Sequence, residues 1–229
     1  MILNINNKKF IFVHIPKCGG TSISHCMSTG NNEFYKYNGF RHNTLEQDIE
    51  FCNIQKNSLN INETFVFSSV RNPWDRIVSV YHFHRILKEN KYPWVEFCKK
   101  HSFLDFIKYS EENHKKMIVF TTYMEFLSQN NEFCVDYIID FNNINNDFKF
   151  ISNLFDVTAA LPKVNKTNHK EYKFYYNSYS EEVIRNHFIN DIKFFQFCFE
   201  DPKEFKKSNV NYNKIQKLFP DKLQKHRML

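Results

Sequence analysis

The stretch FIFVHIPKCGGTSIS, from Phe10 to Ser24, joins an apolar run to a short loop and a polar helix start. The run from Lys8 to His14 is short and rich in aromatic and β-branched residues, which predicts a buried strand. The residues from Thr21 to Thr29 predict the helix that follows it. The chain has 4 glycines, and two of them stand side by side at Gly19 and Gly20. Because glycine is so scarce here, its placement indicates a loop whose backbone approaches a ligand closely.

This loop carries the groups that bind an anion. A helix N-terminus offers unpaired N–H groups and the positive end of the helix dipole. Lys17 adds a positive charge, and Thr21 and Ser22 add hydroxyl donors. The order differs from the ATP-binding pattern G-x-x-x-x-G-K-[ST], because the lysine precedes the glycines. The sequence therefore predicts a phosphate site that does not hold magnesium-bound ATP, and the alternative is an ordinary turn with a surface lysine.

A second anion-binding pattern follows a second predicted strand, Thr64 to Val70. A helix begins there at Pro73, where the missing N–H of proline costs nothing. Arg71 lies at the strand end, and Ser79 lies about two turns into the helix. An arginine holds a phosphate with two parallel hydrogen bonds, and the alternative is an ion pair with Asp75.

Strands and helices alternate along the rest of the chain. The predicted elements are a strand over Cys134 to Phe141 and helices over Ser102 to Ser110, about Asn145 to Phe155, and Ser180 to Phe195, with Ser102 and Ser180 at their starts. This order predicts an α/β fold with a central, mainly parallel sheet flanked by helices. Ligands of such sheets bind beyond the carboxyl ends of the strands, so the two anion-binding patterns are expected in one crevice.

The distribution of charge and the cysteine pattern indicate the domain organisation and the cellular compartment. The net charge is +6, and residues 203–229 alone hold eight Lys or Arg and two acids. We therefore expect one domain over residues 1–202 and a basic C-terminal tail or helix over residues 203–229. This tail is either solvated or a contact for an anionic surface. The 6 cysteines form no C-x-x-C pattern, and the chain has no signal peptide pattern and no apolar run long enough to span a bilayer. These features predict free thiols and a cytoplasmic protein.

Together, IPKCGGTS (residues 15–22) and RNPWDRIVSVY (residues 71–81) resemble the two nucleotide-binding motifs of sulfotransferases that use 3'-phosphoadenosine 5'-phosphosulfate (PAPS). The later segments resemble the carbohydrate O-sulfotransferase branch, sulfotransferase family 2. They are VDYIIDF, the N-K-[ST]-x-H-like segment at Asn165, and the closing DIKFFQFCFED. The resemblance covers about residues 8–201 and implies a P-loop-like, three-layer fold.

The resemblance also implies roles for individual residues. The 5'-phosphosulfate would be held by the loop residues Lys17, Cys18, Gly19, Gly20, Thr21 and Ser22. The 3'-phosphate would be held by Arg71 and Ser79, and the nucleotide would be covered by Asn165, Lys166 and Thr167. One departure is Asn142, where relatives often carry an acid.

The implied reaction is in-line transfer of a sulfuryl group to a hydroxyl of a carbohydrate acceptor. Lys17 would neutralise charge on the bridging oxygen, and a general base would accept the hydroxyl proton. His42, in GFRHNT, resembles the histidine bases of the family, and His14 is the second candidate. The chemistry requires no metal. His82 and His84 are two apart on a predicted helix and so point to different faces.

Two other functions are compatible with parts of the sequence. One is a small-molecule or nucleotide kinase, for which Asp140 would be the magnesium-binding acid. The other is a non-catalytic protein that binds nucleic acid or another anionic surface through residues 203–229. The sulfotransferase interpretation expects a carbohydrate or glycan-precursor acceptor and no nucleic acid. Four aromatic residues could stack on a sugar ring, and core packing is the alternative for each: Trp74, Tyr92, Trp94 and Tyr123.

Overall fold

The elements alternate between strands and helices along most of the chain. The computed structural model describes residues 2–5, 8–28, 33–35, 42–54, 59–89, 92–157, 160–162, 168–201 and 210–223. The strands are β1 (Ile2–Ile5), β2 (Lys8–Val13), β3 (Glu33–Tyr35), β4 (Phe65–Val70), β5 (Ser128–Gln129), β6 (Glu132–Phe133) and β7 (Tyr137–Asp140). The helices are α1 (Gly20–Met27), α2 (Leu45–Ile54), α3 (Pro73–Ile86), α4 (Pro93–Lys100), α5 (Phe103–Asn113), α6 (Tyr123–Leu127), α7 (Ile144–Phe155), α8 (Ser178–His187), α9 (Ile189–Phe195), α10 (Tyr212–Leu218) and α11 (Pro220–Leu223).

The central sheet has the strand order β3-β1-β2-β4-β7. Strands β2, β4 and β7 are parallel, with Phe10 opposite Phe65 and Phe67 opposite Tyr137. The predicted α/β fold with a mainly parallel sheet is confirmed, since three of the five strands are parallel. Strands β1 and β3 extend the sheet in antiparallel fashion and were not predicted. Only two residues join β1 to β2, and so short a connection permits an antiparallel hairpin but not a parallel crossover.

The chain divides into two compact units. Unit 1 comprises Met1–Val70, Met124–Val164 and Lys207–Leu229, and unit 2 comprises Arg71–Tyr123 and Asn165–Lys206. The core of unit 1 is rich in phenylalanine, because alternate residues of β2 and β4 point to the same face of the sheet. Helices α1, α7 and α10 cover that face. The core cluster includes Phe10, Phe12, Ile23, Met27, Phe65, Phe67, Tyr137, Ile139, Phe148, Ile151, Phe155, Ile215 and Phe219.

Helix α2 packs against β2 and lies in the stretch from Asn31 to Asn62, which the sequence patterns left unassigned. Its start is a reciprocal cap. The Thr44 N–H donates to Gln47 Oε1 at 2.9 Å, and the Gln47 N–H donates to Thr44 Oγ1 at 3.2 Å. This T-x-x-Q arrangement is a capping box, so the signal for the helix was present in the sequence.

Helices α3, α4, α5, α8 and α9 make up most of unit 2. The predicted cap at Ser102 is confirmed, because its hydroxyl accepts the N–H of Asp105 in a capping box. The predicted single helix from Ser180 to Phe195 is wrong. The segment forms α8 and α9, which meet at Phe188, and the cap of α8 is Asn177. Ser180 instead lies in the first turn, where its hydroxyl accepts the N–H of Asn177.

Helix α10 belongs to unit 1 through both apolar and polar contacts. Ile215 and Phe219 are buried in the core. The Lys214 ammonium lies 2.8 Å from an Asp136 carboxylate oxygen and donates to the Ile61 carbonyl at 2.7 Å. Burial raises the pKa of the Asp136 carboxyl, and the Lys214 charge opposes that shift. The predicted domain boundary at residues 202 and 203 lies outside the described residues and stays a prediction.

Candidate active site

The loop between β2 and α1 turns through two residues with left-handed backbone. Lys17 has φ 64°, and Gly19 has φ 81°. A residue other than glycine rarely adopts this conformation, at a cost of about 1–2 kcal/mol, and such outliers concentrate at functional sites. Cys18, between them, is fully buried, and its thiol donates to the Pro16 carbonyl at 3.7 Å. The strained lysine is therefore built into the turn that starts α1.

Close packing explains both glycines of the loop. A Cβ added at Gly20 would lie 2.1 Å from Cδ2 of the His14 ring. A Cβ added at Gly19 would lie 2.5 Å from Cδ1 of Ile144 and 3.3 Å from Cδ2 of Phe141. Real Cβ atoms essentially never come within 3.0 Å of another heavy atom, so the His14 and Ile144 side chains would have to shift. The loop is thus held between the His14 ring at the end of β2 and the side chains that follow β7.

The first turn of α1 presents several donors. The N–H groups of Ser22 and Ile23 bond back to the Gly19 carbonyl at 3.0 and 3.3 Å. Within the described part of the chain, the N–H groups of Gly20 and Thr21 and the hydroxyls of Thr21 and Ser22 have no hydrogen-bond partner. No acidic side chain lies in this turn. With the helix dipole, these donors favour an anion beside Lys17.

Two serines of β4 support the loop, and the sequence analysis missed them. The Ser69 hydroxyl donates to the Cys18 carbonyl at 2.7 Å, and the Ser68 hydroxyl donates to the Val13 carbonyl at 2.7 Å. Both serines are fully buried. The available signal was the pair of serines in a strand that is otherwise apolar, because buried hydroxyls are retained where they find an acceptor.

His14 and His42 lie together in unit 1. The His14 ring is 7% exposed and packs on Phe12, with ring centroids 5.7 Å apart. The His42 ring meets it edge-on at 4.7 Å, and His42 Nδ1 lies 2.8 Å from the His14 backbone carbonyl. A carbonyl oxygen only accepts, so Nδ1 must carry the proton. In the neutral ring, Nε2 is then the atom with the lone pair, which is the form that a general base requires.

In unit 2, Arg71 follows β4 and pairs with Asp75. The Arg71 Nε and Nη2 donate to the two carboxylate oxygens of Asp75 at 2.6 and 2.8 Å. Arg71 is 8% exposed. The ion pair that the sequence left open as an alternative is therefore present, and it fixes the plane of the guanidinium.

Ser79 lies on α3, two turns after Arg71, and is 3% exposed. Its hydroxyl makes no hydrogen bond among the described residues. The start of α3 is fixed by Asn72, whose side chain accepts the Trp74 N–H at 3.1 Å and donates to the Cys198 carbonyl at 2.8 Å. Arg76 is fully buried and has a structural contact, because its guanidinium donates to the Thr121 carbonyl.

The segment after the predicted nucleotide cover packs on α3. Asn165, Lys166 and Thr167 themselves lie outside the described residues. His169 stacks on His82 with centroids 5.1 Å apart and an interplanar angle of 17°. The phenols of Tyr172 and Tyr176 donate to the Phe199 and Trp74 carbonyls. Burial, followed by the carboxylate of Asp75, raises the pKa of both phenols, so they remain protonated donors.

The closing segment DIKFFQFCF forms core contacts with Tyr123, at the start of α6, and with Trp74, in the first turn of α3. Asp191 accepts the Tyr123 N–H at 2.7 Å, and the Phe195 and Phe197 rings pack on the Tyr123 ring. The Phe199 ring meets Trp74 edge-on at 5.4 Å. Spacing alone did not reveal this, because these pairs are far apart in sequence.

The remaining predicted candidates have structural contacts. Asn142 follows β7, and its N–H donates to the Asp140 carboxylate at 2.9 Å. Of the four aromatic candidates for sugar stacking, three are buried in the core: Trp74, Trp94 and Tyr123. Tyr92 is half-exposed, and its ring stacks on Trp94 with centroids 4.4 Å apart. Over the described ranges, no three His, Cys, Asp or Glu side chains group as metal ligands. None of the described helices has the length and apolar character to cross a membrane.

The sequence matches a known protein family over most of its length. A family model described as the sulfotransferase family matches residues 2–198, which contain the loop, both histidines, the Arg71 segment and nearly all of the closing segment. Searches of curated proteins and of solved structures gave no match. The match spans most of the chain, and the chain therefore belongs to sulfotransferase family 2.

Proposed function

We infer from membership in this family that the chain transfers a sulfuryl group, with PAPS as the sulfuryl donor. We propose that the acceptor is a hydroxyl of a carbohydrate and that His42 is the general base. One observation carries the assignment of His42 as the base. The His14 carbonyl sets the tautomer of His42, and the His14 ring packs on Gly20 at the start of α1. The candidate base and the anion-binding loop are therefore linked through a single residue.

The residues of the loop fit the phosphosulfate end of PAPS. The N–H groups and hydroxyls of the first turn of α1 would donate to its oxygens, with Cys18 and Gly19 shaping the turn and Lys17 supplying charge. PAPS, when bound, supplies an activated sulfuryl group on a phosphate leaving group. Lys17 would stabilise the negative charge that develops on that phosphate, which is the larger part of catalysis in such transfers.

The 3'-phosphate would be held in unit 2. Arg71 supplies the charge, and the Ser79 hydroxyl supplies a donor that has no partner among the described residues. The Asp75 pair orients the guanidinium beforehand, which reduces the entropy lost on binding. The Asn165–Thr167 segment is proposed to cover the nucleotide. This assignment of residues to the ligand rests on the resemblance to the family motifs.

The carbohydrate acceptor is supported by the branch that the later segments resemble. The test is transfer of radiolabelled sulfate from PAPS to a panel of one phenol, one aliphatic alcohol, one tyrosine peptide and a set of mono- and oligosaccharides. We expect labelled sugars only. Transfer to the phenol or the peptide but to no sugar would contradict the carbohydrate proposal and leave the sulfotransferase assignment intact.

The base is tested with the best sugar from that panel. His42→Asn should lower kcat about 10²- to 10⁴-fold, the usual contribution of a positioned base, with little change in the affinity for adenosine 3',5'-bisphosphate. His25→Gln is the matched control, because His25 is an exposed histidine on α1. If His14→Asn removes the acidic limb of the pH–rate profile and His42→Asn does not, the base is His14.

A further inference from the structure

Tyr123 holds the backbone of Arg71 from a position 52 residues away in sequence. Its phenol donates a hydrogen bond to the Arg71 carbonyl, inside unit 2. This carbonyl lies where the chain leaves β4 and enters α3. Tyr123 is fully buried, so water does not supply a substitute donor. The contact joins the first residue after β4 to the first residue of α6, and both residues belong to unit 2.

Tyr123 is itself fixed on three sides. Its N–H donates to the Asp191 carboxylate at 2.7 Å. The Arg76 guanidinium lies over its ring, 4.9 Å from the centroid, and Phe195 packs edge-on at 5.9 Å. A phenol held this way has little freedom to follow a shift of the Arg71 carbonyl. The phenol therefore holds the Arg71 carbonyl, and with it the turn between β4 and α3, in one position.

The side chain of Arg71 is fixed separately. Asp75 holds the guanidinium through Nε and Nη2, whereas Tyr123 holds the main chain. The two contacts together set both the position and the plane of this arginine. Bidentate recognition of phosphate depends on that plane, because the donors of the guanidinium point in fixed directions.

We propose that Tyr123 is a positioning residue for recognition of the 3'-phosphate and acts through Arg71. The inference rests on the proposed role of Arg71. Without the phenol, the Arg71 carbonyl loses its donor and the turn relaxes, so the guanidinium no longer meets the phosphate in its best geometry. Ligands without a 3'-phosphate do not use that geometry and should be unaffected.

The test compares two ligands that differ only in the 3'-phosphate, adenosine 3',5'-bisphosphate and AMP, by calorimetry on the full chain. Tyr123→Phe keeps the ring and its contacts. We expect it to weaken bisphosphate binding about 2- to 10-fold, the range for one lost hydrogen bond, and to leave AMP binding unchanged. The preference for the bisphosphate over AMP therefore falls by the same factor.

Ser110→Ala is the control. Ser110 is also buried in unit 2, and its hydroxyl donates to the Ile107 carbonyl at 2.7 Å. It should lower the melting temperature without changing the preference for the bisphosphate. An unchanged preference in Tyr123→Phe, with only a loss of stability, would show a structural role and overturn the inference.

Arg71→Ala separates this inference from the function that it rests on. In the wild-type chain we expect a clear preference for the bisphosphate, and in Arg71→Ala its loss. If the wild-type chain shows no preference, or Arg71→Ala retains it, the proposed 3'-phosphate site fails and the role of Tyr123 fails with it. If Arg71→Ala behaves as expected and Tyr123→Phe does not, only the role of Tyr123 fails.

Discussion

The close contact between Gly20 and the His14 ring predicts that Gly20→Ala destabilises the wild-type chain but not a chain that lacks this ring. In Gly20→Ala the new Cβ would lie 2.1 Å from Cδ2 and 2.4 Å from Nε2 of the His14 ring. The ring has little room to withdraw, because it packs between Phe12 and His42. Overpacking of this kind costs about 1–3 kcal/mol. For a chain of this length, that lowers the melting temperature by about 2–12 °C.

The second arm removes the ring. In a His14→Ala background, the space next to Gly20 is open, and alanine is a better helix former than glycine by about 0.5–1 kcal/mol. Gly20→Ala should therefore be neutral or slightly stabilising there. Urea unfolding of the four proteins gives the coupling energy, which we expect to exceed about 1 kcal/mol. An equal cost of Gly20→Ala in both backgrounds would refute the proposed packing of His14 under the loop.

Two further predictions concern buried charge. Burial lowers the pKa of His82 from 6.5 to about 4, so the unfolded chain binds the extra proton and stability should fall as the pH drops from 6.5 towards 4. After allowance for solvent screening at a half-buried ring, this amounts to about 1–2 kcal/mol. His82→Phe should flatten that part of the stability profile, and an unchanged profile in this variant would contradict the prediction. Lys214→Met leaves the buried Asp136 carboxylate without its cation and should cost about 3 kcal/mol at neutral pH. The cost should fall at acidic pH, because burial raises the pKa of this carboxyl and protonation removes its charge. The exposed Lys217→Met should cost less than 0.5 kcal/mol in the same urea titrations, and equal costs for the two lysines would contradict the account of α10.

The described part of the basic C-terminal segment, residues 210–223, packs into unit 1. Ile215 and Phe219 lie in the core of unit 1, and Lys214 pairs with a buried carboxylate. Deleting residues 203–229 would therefore damage the fold as well as remove charge. A binding role for this segment is better tested by neutralising exposed lysines such as Lys217, with salt dependence as the readout.

Local signals in the sequence were sufficient for the elements that start with clear caps or strong periodicity. The strand at Lys8, the helix at Pro73 and the cap at Ser102 all follow from patterns within a few residues. The helix after Thr44 was missed although its capping box is equally local, because the surrounding composition is polar. The division at Phe188 had no local signal, since a phenylalanine breaks no helix by its own propensity.

The residues of the candidate site also fall into those that local patterns predict and those that depend on tertiary contacts. The loop residues follow from rare glycines beside a lysine, and Arg71 follows from its place at a strand end. The residues that fix them lie far away in sequence, as with Ser69 on the Cys18 carbonyl and Tyr123 on the Arg71 carbonyl. Such pairings depend on tertiary contacts that a single sequence does not specify.

A thermal melt with adenosine 3',5'-bisphosphate, run beside one with magnesium-bound ATP, tests whether this chain binds the nucleotide of PAPS. At about one hundred times its dissociation constant, a ligand stabilises the folded chain by about 2.7 kcal/mol, or about 5–11 °C here. We expect this shift with the bisphosphate alone and its loss in Lys17→Ala and Arg71→Ala. A shift with magnesium-bound ATP and none with the bisphosphate would contradict the assignment of PAPS to this site and favour the kinase alternative.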